Sequence, residues 1–540
     1  MRSSADFFKF LPPLPLPAEM RAWDAAAVRL GLPEVLLMEN AANAAFEVLR
    51  VYRPHLAGQT VWLFMGSGNN GGDAVCLARR LLDAGARPLV LHTKTLGAYR
   101  GVTARHLRIA RAAGVAFAPL ARHEWQEPPN ILVDGLLGTG FTGELRPALR
   151  ALIGRINQLA SSRFVLALDI PSGLNGTNGQ PSPVAVRATV TVSFAAAKPG
   201  LLLPSARPWT GRLHVRDIGI PAATRAASPC GAYLLDGHCL RALPDPPQNS
   251  YKNSFGHLLV LGGAPGMGGA AHLAARAALR AGAGLVTAAA PAAALADIKS
   301  NWPEIMTLPL TGAGASRWPD MPAEELQTIC ARHTALVVGP GMGRGEDAAR
   351  FLGTLLHLPR RPPTVFDADA LMLLARSPAL LEQVTERDIL TPHPGEAAAL
   401  LACATGEIQA ARPVALASLC SRCAGVVALK GAGTLVGQAG APLLLSPYDA
   451  PQLAVGGAGD VLAGCLGGLL ARGDLAEWPS ISLAGVGVSL HALAGRFCAA
   501  VWPQRGNRAS ELADALPMVR AKIANGALDQ PRQERLPWPE

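Results

Sequence analysis

Along the first half of the chain, short apolar runs alternate with stretches whose apolar residues recur at helical spacing. Residues 60–65 read as a strand, 66–72 as a glycine loop and 73–84 as a helix. Further strands are predicted at 131–134, 164–169, 188–194 and 212–217. Strands separated by helical stretches imply a parallel sheet with helices on both faces, a Rossmann-like three-layer α/β domain. The pattern weakens between residues 220 and 250, where Pro221, Pro229, Pro244, Pro246 and Pro247 crowd together, so a domain boundary is expected near residue 225. A second α/β series follows, with strands predicted at 257–261, 285–289, 335–338, 364–367, 389–391 and 426–430 and a helix from about Gly459. Two domains result, 1–225 and 226–525, with a polar, proline-rich tail at 526–540 expected to be disordered.

The 540 residues are too many for one ordinary core, and 50% hydrophobic against 16% charged residues excludes a disordered chain. The net charge of +10 raises the question of nucleic acid. Only seven of the 49 basic residues are Lys, and the Arg residues are scattered without a dense block or interleaved aromatics, so no nucleic-acid partner is expected. Nine Cys at irregular spacing point to a reducing compartment, and the lone pair Cys420 and Cys423 reads as buried apolar cysteines. No secretory signal is read at the N-terminus. The stretch 453–470 is apolar enough to span a membrane, but Asp460 lies inside it, at a mid-bilayer cost of at least about 2.5 kcal/mol. A soluble, cytoplasmic protein without a membrane partner is the expectation.

In the first series, Gly66-Ser-Gly-Asn-Asn-Gly-Gly-Asp73 stands between a strand and a helix. Its glycines let backbone amides approach an anion, and the helix start adds free N–H groups. The glycine spacing is not that of a dinucleotide fingerprint. Two later strands end in carboxylates, Asp134 before a Gly-Leu-Leu-Gly-Thr-Gly run and Asp169 before Ile-Pro-Ser172-Gly. Each alone also reads as a loop or helix cap. Together, at the carboxyl ends of neighbouring strands, they suggest one ligand rim. Two carboxylates beside a phosphate would repel it by about 4 kcal/mol per close pair at an effective dielectric near 20. A hard cation held by oxygens from Asn70, Asp134 and Ser172 would relieve this.

In the second series, Val455-Gly-Gly-Ala-Gly-Asp460 runs into a strongly apolar helix. Its amides suit charge on a transferring phosphoryl group, and Asp460 suits removal of a proton from an attacking hydroxyl. A helix-capping Asp, worth about 1 kcal/mol, is the alternative for that loop taken alone. Lys430-Gly-Ala-Gly-Thr434, Thr391-Pro-His-Pro-Gly-Glu396, Gly339-Pro-Gly-Met-Gly343 and the glycine-rich 262–269 all follow strands, which describes a broad nucleotide and substrate cleft.

The first set, with Lys198-Pro-Gly-Leu-Leu202 added, resembles the NAD(P)H-hydrate epimerase family. The second set, with Lys252 and Gly256 added, resembles the ADP/ATP-dependent NAD(P)H-hydrate dehydratases, whose fold is ribokinase-like. The order matches the bifunctional repair enzymes over nearly the whole chain. The resemblance implies that the first domain interconverts the R and S epimers of NADHX and NADPHX, the hydrated cofactors. The second would dehydrate the S form at the expense of ADP or ATP, with Mg2+. It further implies K+ held by Asn70, Asp134 and Ser172. Hydrate contacts in the epimerase would come from Asn69, Asn70, Gly71, Gly72, Asp73, Gly138, Thr139, Gly140, Phe141, Thr142, Gly143, Glu144 and Asp169, with Asp169 as acid/base. In the dehydratase, Ala270, Gly341, His393 and Asp460 would meet the hydrate. Lys430, Gly431, Ala432, Gly433, Thr434 and Gly459 would meet the nucleotide, and Asp460 would take the hydroxyl proton. Ala74 and Met65 depart from the family pattern, but neither is a proposed ligand. A homo-oligomer is expected. The rival readings are a small-molecule kinase with a regulatory first domain and a non-catalytic nucleotide-sensing scaffold.

Overall fold

The structure, a computed structural model, describes residues 7–125, 127–141, 143–226 and 230–524. Its chain divides between Ala232 and Tyr233 rather than at 225. Residues 7–12, expected in the first domain, belong instead to the second unit. There Phe7 and Leu11 are buried in the same apolar cluster as Leu235, Leu240 and Trp478. The predicted tail at 526–540 lies outside the described residues.

In the first unit, seven strands form one parallel sheet: β1 (Thr60–Met65), β2 (Arg87–His92), β3 (Ala116–Pro119), β4 (Ile131–Gly135), β5 (Phe164–Leu168), β6 (Val190–Phe194) and β7 (Arg212–Arg216). The order is β3-β2-β1-β4-β5-β6-β7. The chain leaves β1 outward to β2 and β3, then returns to the other side of β1 at β4. That reversal opens a crevice at the carboxyl ends of β1 and β4, where ligands bind in open α/β sheets. Strands β4, β5 and β6 are buried throughout, whereas the edge strand β3 is half-exposed.

The helix after β1 spans Asn69–Asp83, starting four residues earlier than the sequence pattern suggests. It can start there because the backbone is crowded beyond what any side chain would tolerate. A Cβ on Gly71 would lie 2.2 Å from the Gly66 carbonyl oxygen, and one on Gly66 would lie 1.8 Å from the Leu136 oxygen. The two glycines thus draw the helix start onto the loop that leaves β4.

The second unit is built on a ten-stranded sheet, with strands β8 (Ala232–Leu234), β9 (His257–Leu261), β10 (Leu285–Ala290), β11 (Met306–Pro309), β12 (Ala335–Val338), β13 (Thr364–Phe366), β14 (Ile389–Leu390), β15 (Val426–Leu429), β16 (Leu435–Gly437) and β17 (Leu443–Leu445). Their order is β11-β10-β9-β12-β13-β14-β15-β16-β17-β8. Pairing is parallel from β11 to β15 and antiparallel from β15 through β17. All predicted strands are present, and β8, β11, β16 and β17 join them.

Two helices of this unit pack on each other through small residues. A Cβ on Gly464 of helix Ala458–Ala471 would lie 2.0 Å from the Ala274 oxygen of helix Gly268–Ala281, and one on Gly468 would lie 2.6 Å from the Ala278 oxygen. Both helices advance by four residues between contacts, so they run parallel at backbone distance. One turn nearer their N-termini, the same register sets Ala270 level with Asp460. Among the described residues, helix Ser480–Val501 is long and apolar enough to cross a membrane, yet 72% of its most apolar window is buried in this unit. The apolar helix flagged from the sequence, Ala458–Ala471, is likewise a core element.

Two candidate active sites

At the first unit's switch point, side chains from three strand ends converge. Asp134, at the end of β4, is fully buried and accepts hydrogen bonds from Ser172 Oγ (2.6 Å), Ser172 N (2.7 Å) and Leu136 N (3.2 Å). Burial pushes its carboxyl up to about 6 despite these donors. Asn70 Nδ2 donates to the carbonyls of Leu137 (2.7 Å) and Leu168 (3.0 Å), while its Oδ1 is buried without a donor. Ser172 Oγ accepts from Leu137 N at 2.8 Å, so Asn70 and Ser172 meet the same loop residue. A carboxylate, a hydroxyl and an orphaned amide oxygen form the all-oxygen donor set that a hard cation such as K+ takes. The three residues therefore fit the cation that the resemblance implies.

Beside them lies a cavity of about 570 Å³. Asn69, Asn70, Asp73, Gly138, Thr139, Gly140, Phe141 and Asp169 line it, as the resemblance implies. Gly71 and Gly72 do not. They are buried in the helix start, Gly71 against Gly66 and Gly72 against Met38 and Thr103, so their part is packing. Gly143 and Glu144 lie outside the lining, and Thr142 lies outside the described residues.

Asp169 takes a left-handed backbone conformation (φ 63°), which a non-glycine residue adopts at a cost of order 1–3 kcal/mol. Lys198 Nζ donates to Asp169 Oδ1 (2.5 Å), to Ser193 Oγ (3.0 Å) and to the Phe194 carbonyl (2.9 Å). Lys198 is 1% exposed, so this is a buried ion pair opening onto the cavity. Lys198 and Asp24, which also lines the cavity, were not singled out from the sequence as site residues. Burial, then repulsion from Asp169 and Asp24, holds the Asp73 carboxyl well above the usual range.

In the second unit, the rim is formed by the carboxyl ends of β13, β14 and β15. Lys430 Nζ donates to Asp367 Oδ1 at 2.6 Å and lies 3.7 Å from Glu396 Oε2. Thr391 Oγ1 donates to the same Asp367 oxygen at 2.7 Å. Burial opposes the Lys430 charge, but Asp367 and Glu396 outweigh it and raise the group. A Cβ on Gly459 would lie 3.4 Å from Lys430 Nζ and 3.7 Å from Asp367 Oδ2, so the Gly-Ala-Gly-Asp loop meets this pair directly. Burial, then the charge of Asp367, raises Asp460 to about 7 against the opposing pull of Lys430. Burial raises Glu396 to about 7 in the same cluster. Asp367 had no sequence signal beyond its position at a strand end.

The loop 430–434 is braced from beneath. Arg412, 5% exposed, donates to the carbonyls of Leu429 (3.0 Å), Lys430 (3.2 Å) and Gly433 (3.3 Å), and Thr434 Oγ1 donates to the Gly431 oxygen at 2.9 Å. Gly431 and Gly433 both have positive φ. Exposed Ala432 completes the turn. Gly341 (φ 60°) sits against Ala270, whose Cβ would be 3.2 Å from one on Gly341. His393 caps helix Pro394–Leu401: its Nδ1 accepts from Gly395 N (2.9 Å) and Glu396 N (3.2 Å), leaving Nε2 at 3.4 Å from Glu396 Oε1.

A parallel sheet with polar groups gathered at a switch-point crevice, and a second sheet whose rim sets a glycine-Asp helix start beside a lysine, define a two-site α/β enzyme. A family model described as YjeF-related protein N-terminus matches residues 34–200, and one described as NAD(P)H-hydrate dehydratase matches residues 258–518. The bifunctional NAD(P)H-hydrate repair enzyme of Coxiella burnetii is 35% identical over 499 residues, covering 92% of this chain and 96% of that protein. The Escherichia coli protein of the same name is 34% identical over 504 residues, covering 92% and 91%. The ADP/ATP-dependent NAD(P)H-hydrate dehydratase of Bacillus subtilis, crystallised with ATP and Mg2+, aligns with 54% of this chain and 98% of its own at 25% identity and a TM-score of 0.43. The chain belongs to the bifunctional NAD(P)H-hydrate repair enzymes, an epimerase unit joined to a dehydratase unit.

Proposed function

We propose that the first unit interconverts the R and S forms of hydrated NADH and NADPH. The second then returns the S form to the intact cofactor by spending the terminal phosphoryl group of ADP or ATP. The observation that carries the second half is Asp460, set in the first turn of a glycine-led helix beside the Lys430–Asp367 pair. Hydroxide is a poor leaving group, whereas a phosphate ester leaves readily. Asp460 takes the proton of the ring hydroxyl as the oxygen attacks the phosphoryl group, and the amides at Gly459 face the charge that develops. Lys430 and the loop 430–434 hold the nucleotide phosphates, with Mg2+ as their companion ion. Ala270, Gly341 and His393 border the hydrate.

In the first unit, Asn70, Asp134 and Ser172 would hold K+. When bound, the ion would neutralise the Asp134 charge next to the anionic substrate. Asp169, paired with Lys198, faces the cavity as an acid/base group. Nine free cysteines, eight of them buried, support a reducing, cytoplasmic setting.

The test offers mixed hydrate epimers to the full chain with K+, Mg2+ and either ADP or ATP. Near-ultraviolet absorbance then reports restored nicotinamide. Complete recovery with stoichiometric nucleotide consumption is expected. Recovery that stops at the S fraction would remove the epimerase, and a phosphorylated product that accumulates without recovery would indicate a kinase instead.

A further inference from the structure

Inverting the carbon that bears the hydroxyl by opening its bond to the ring nitrogen requires one proton to leave the oxygen and another to reach that nitrogen. A pocket that performs this needs an acceptor and a donor. The first-unit cavity presents four carboxyl groups, Asp24, Glu34, Asp73 and Asp169, with the Lys198 ammonium and the Arg21 guanidinium; of these Glu34 and Arg21 are exposed to solvent. Asp169 is bound to Lys198 and faces Phe194 N and Thr139 N, each at 3.4 Å. Asp73 is 9% exposed, and burial, then repulsion from Asp169 and Asp24, holds its carboxyl well above the usual range. Asp24 differs from both. It stands on helix Pro17–Arg29, ahead of the span matched by the family model, lines the cavity half-buried, and has no hydrogen-bonding partner among the described residues.

We propose that Asp24 is the proton acceptor of the epimerase, working with the Asp169–Lys198 acid/base pair, whose Lys198 ammonium is the donor. This deepens the epimerase reading and rests on it. Asp24 takes the hydroxyl proton, and the carbon–oxygen bond becomes a carbonyl as the bond from that carbon to the ring nitrogen breaks. The electron pair passes to nitrogen, which takes a proton from Lys198. Rotation of the freed carbonyl presents its other face. Nitrogen adds back, its proton returns to Lys198, and the proton on Asp24 returns to oxygen. Nothing is oxidised or reduced, and no co-reactant is consumed.

Burial raises Asp24 to about 6. Asp169 and Glu34 add to the shift and Lys198 opposes it, while Arg21 on its own helix and Asp73 also line the cavity. Asp24 is therefore an ionised acceptor above that pH and a spent one below it.

The experiment compares Asp24→Asn and Asp24→Glu with the native chain. Epimerisation of pure S hydrate is followed chromatographically, with ADP-dependent dehydration as the measure of an intact fold. For Asp24→Asn, the epimerisation kcat is expected to fall about 100-fold or more, with KM within about threefold. The native acid limb near pH 6 should vanish, Asp24→Glu should recover part of the rate, and dehydration should be unchanged. An Asp24→Asn kcat within about threefold of native, or an acid limb that persists, overturns the assignment. A native chain that fails to epimerise at all defeats the functional reading itself, which is a separate outcome.

Discussion

Replacing Asp460 with Asn keeps the shape of the helix start and removes only the ability to accept a proton. In the folded protein this carboxyl is raised to about 7 by burial and by Asp367. A group poised there is half ionised at neutral pH, where proton transfer to it is most effective. General-base catalysis of this kind contributes about 10²–10⁴-fold, equivalent to about 3–5 kcal/mol of barrier at 1.36 kcal/mol per decade. Asp460→Asn should therefore slow dehydration of the S hydrate by at least two decades. Nucleotide affinity should hold or tighten, because one negative charge near the phosphates is gone while Asp367 still holds Lys430 at 2.6 Å. The pH dependence has a definite sign. Below about 7 the native Asp460 keeps its proton and cannot act, so kcat/KM for dehydration should rise through pH 7 and level off above it. The measurement is recovery of near-ultraviolet absorbance from pure S hydrate with saturating ADP, alongside calorimetric nucleotide binding. Recovery at the native rate in the Asn variant, with the same pH profile, would refute the role given to Asp460.

Three further outcomes are expected. Asp134→Ala should depress epimerisation while sparing dehydration of pure S hydrate, and equal loss of both activities would argue against two independent sites. Gly464→Ala sets a methyl 2.0 Å from the Ala274 carbonyl oxygen, so helix Ala458–Ala471 must shift. An overpacking cost of about 1–3 kcal/mol should appear as a lower melting temperature of the second unit, and an unchanged melt would contradict the close packing. Arg412→Met strips three carbonyl contacts from beneath the loop 430–434. The nucleotide KM should rise about tenfold with little effect on epimerisation, and an unaltered KM would show the brace to be dispensable.

The central strands β1, β4, β5, β9, β12 and β13 were readable because near-continuous apolar runs have nowhere to go but a sheet covered on both faces. Strands β3 and β11 escaped because a short, half-exposed edge segment shows no comparable run. Strands β16 and β17 are three residues each, below the length at which a pattern is distinguishable. The helix at Asn69 starts early for a tertiary reason, the contact of Gly71 with Gly66 and of Gly66 with Leu136, which no local propensity encodes. The site divides in the same way. Glycine-flanked carboxylates such as Asp134, Asp169 and Asp460 announce themselves, because a charged group at the end of an apolar run needs a reason. Asp24 looks from the sequence like the polar face of an ordinary helix. Asp367 looks like a strand cap, and Lys198 lies beyond the next strand from Asp169, so only the folded sheet shows what each of them meets.

Phe7 and Leu11 belong to the core of the second unit although 220 residues of the first unit, 13–232, intervene. During synthesis those intervening residues are complete and can fold while the opening segment still waits for Leu235 and Trp478 to emerge. A gene cut at residue 233 would yield a dehydratase whose apolar floor lacks two of its tiles. The chain passes from one unit to the other twice, after Pro12 and after Ala232, so a single cut cannot separate the two activities cleanly.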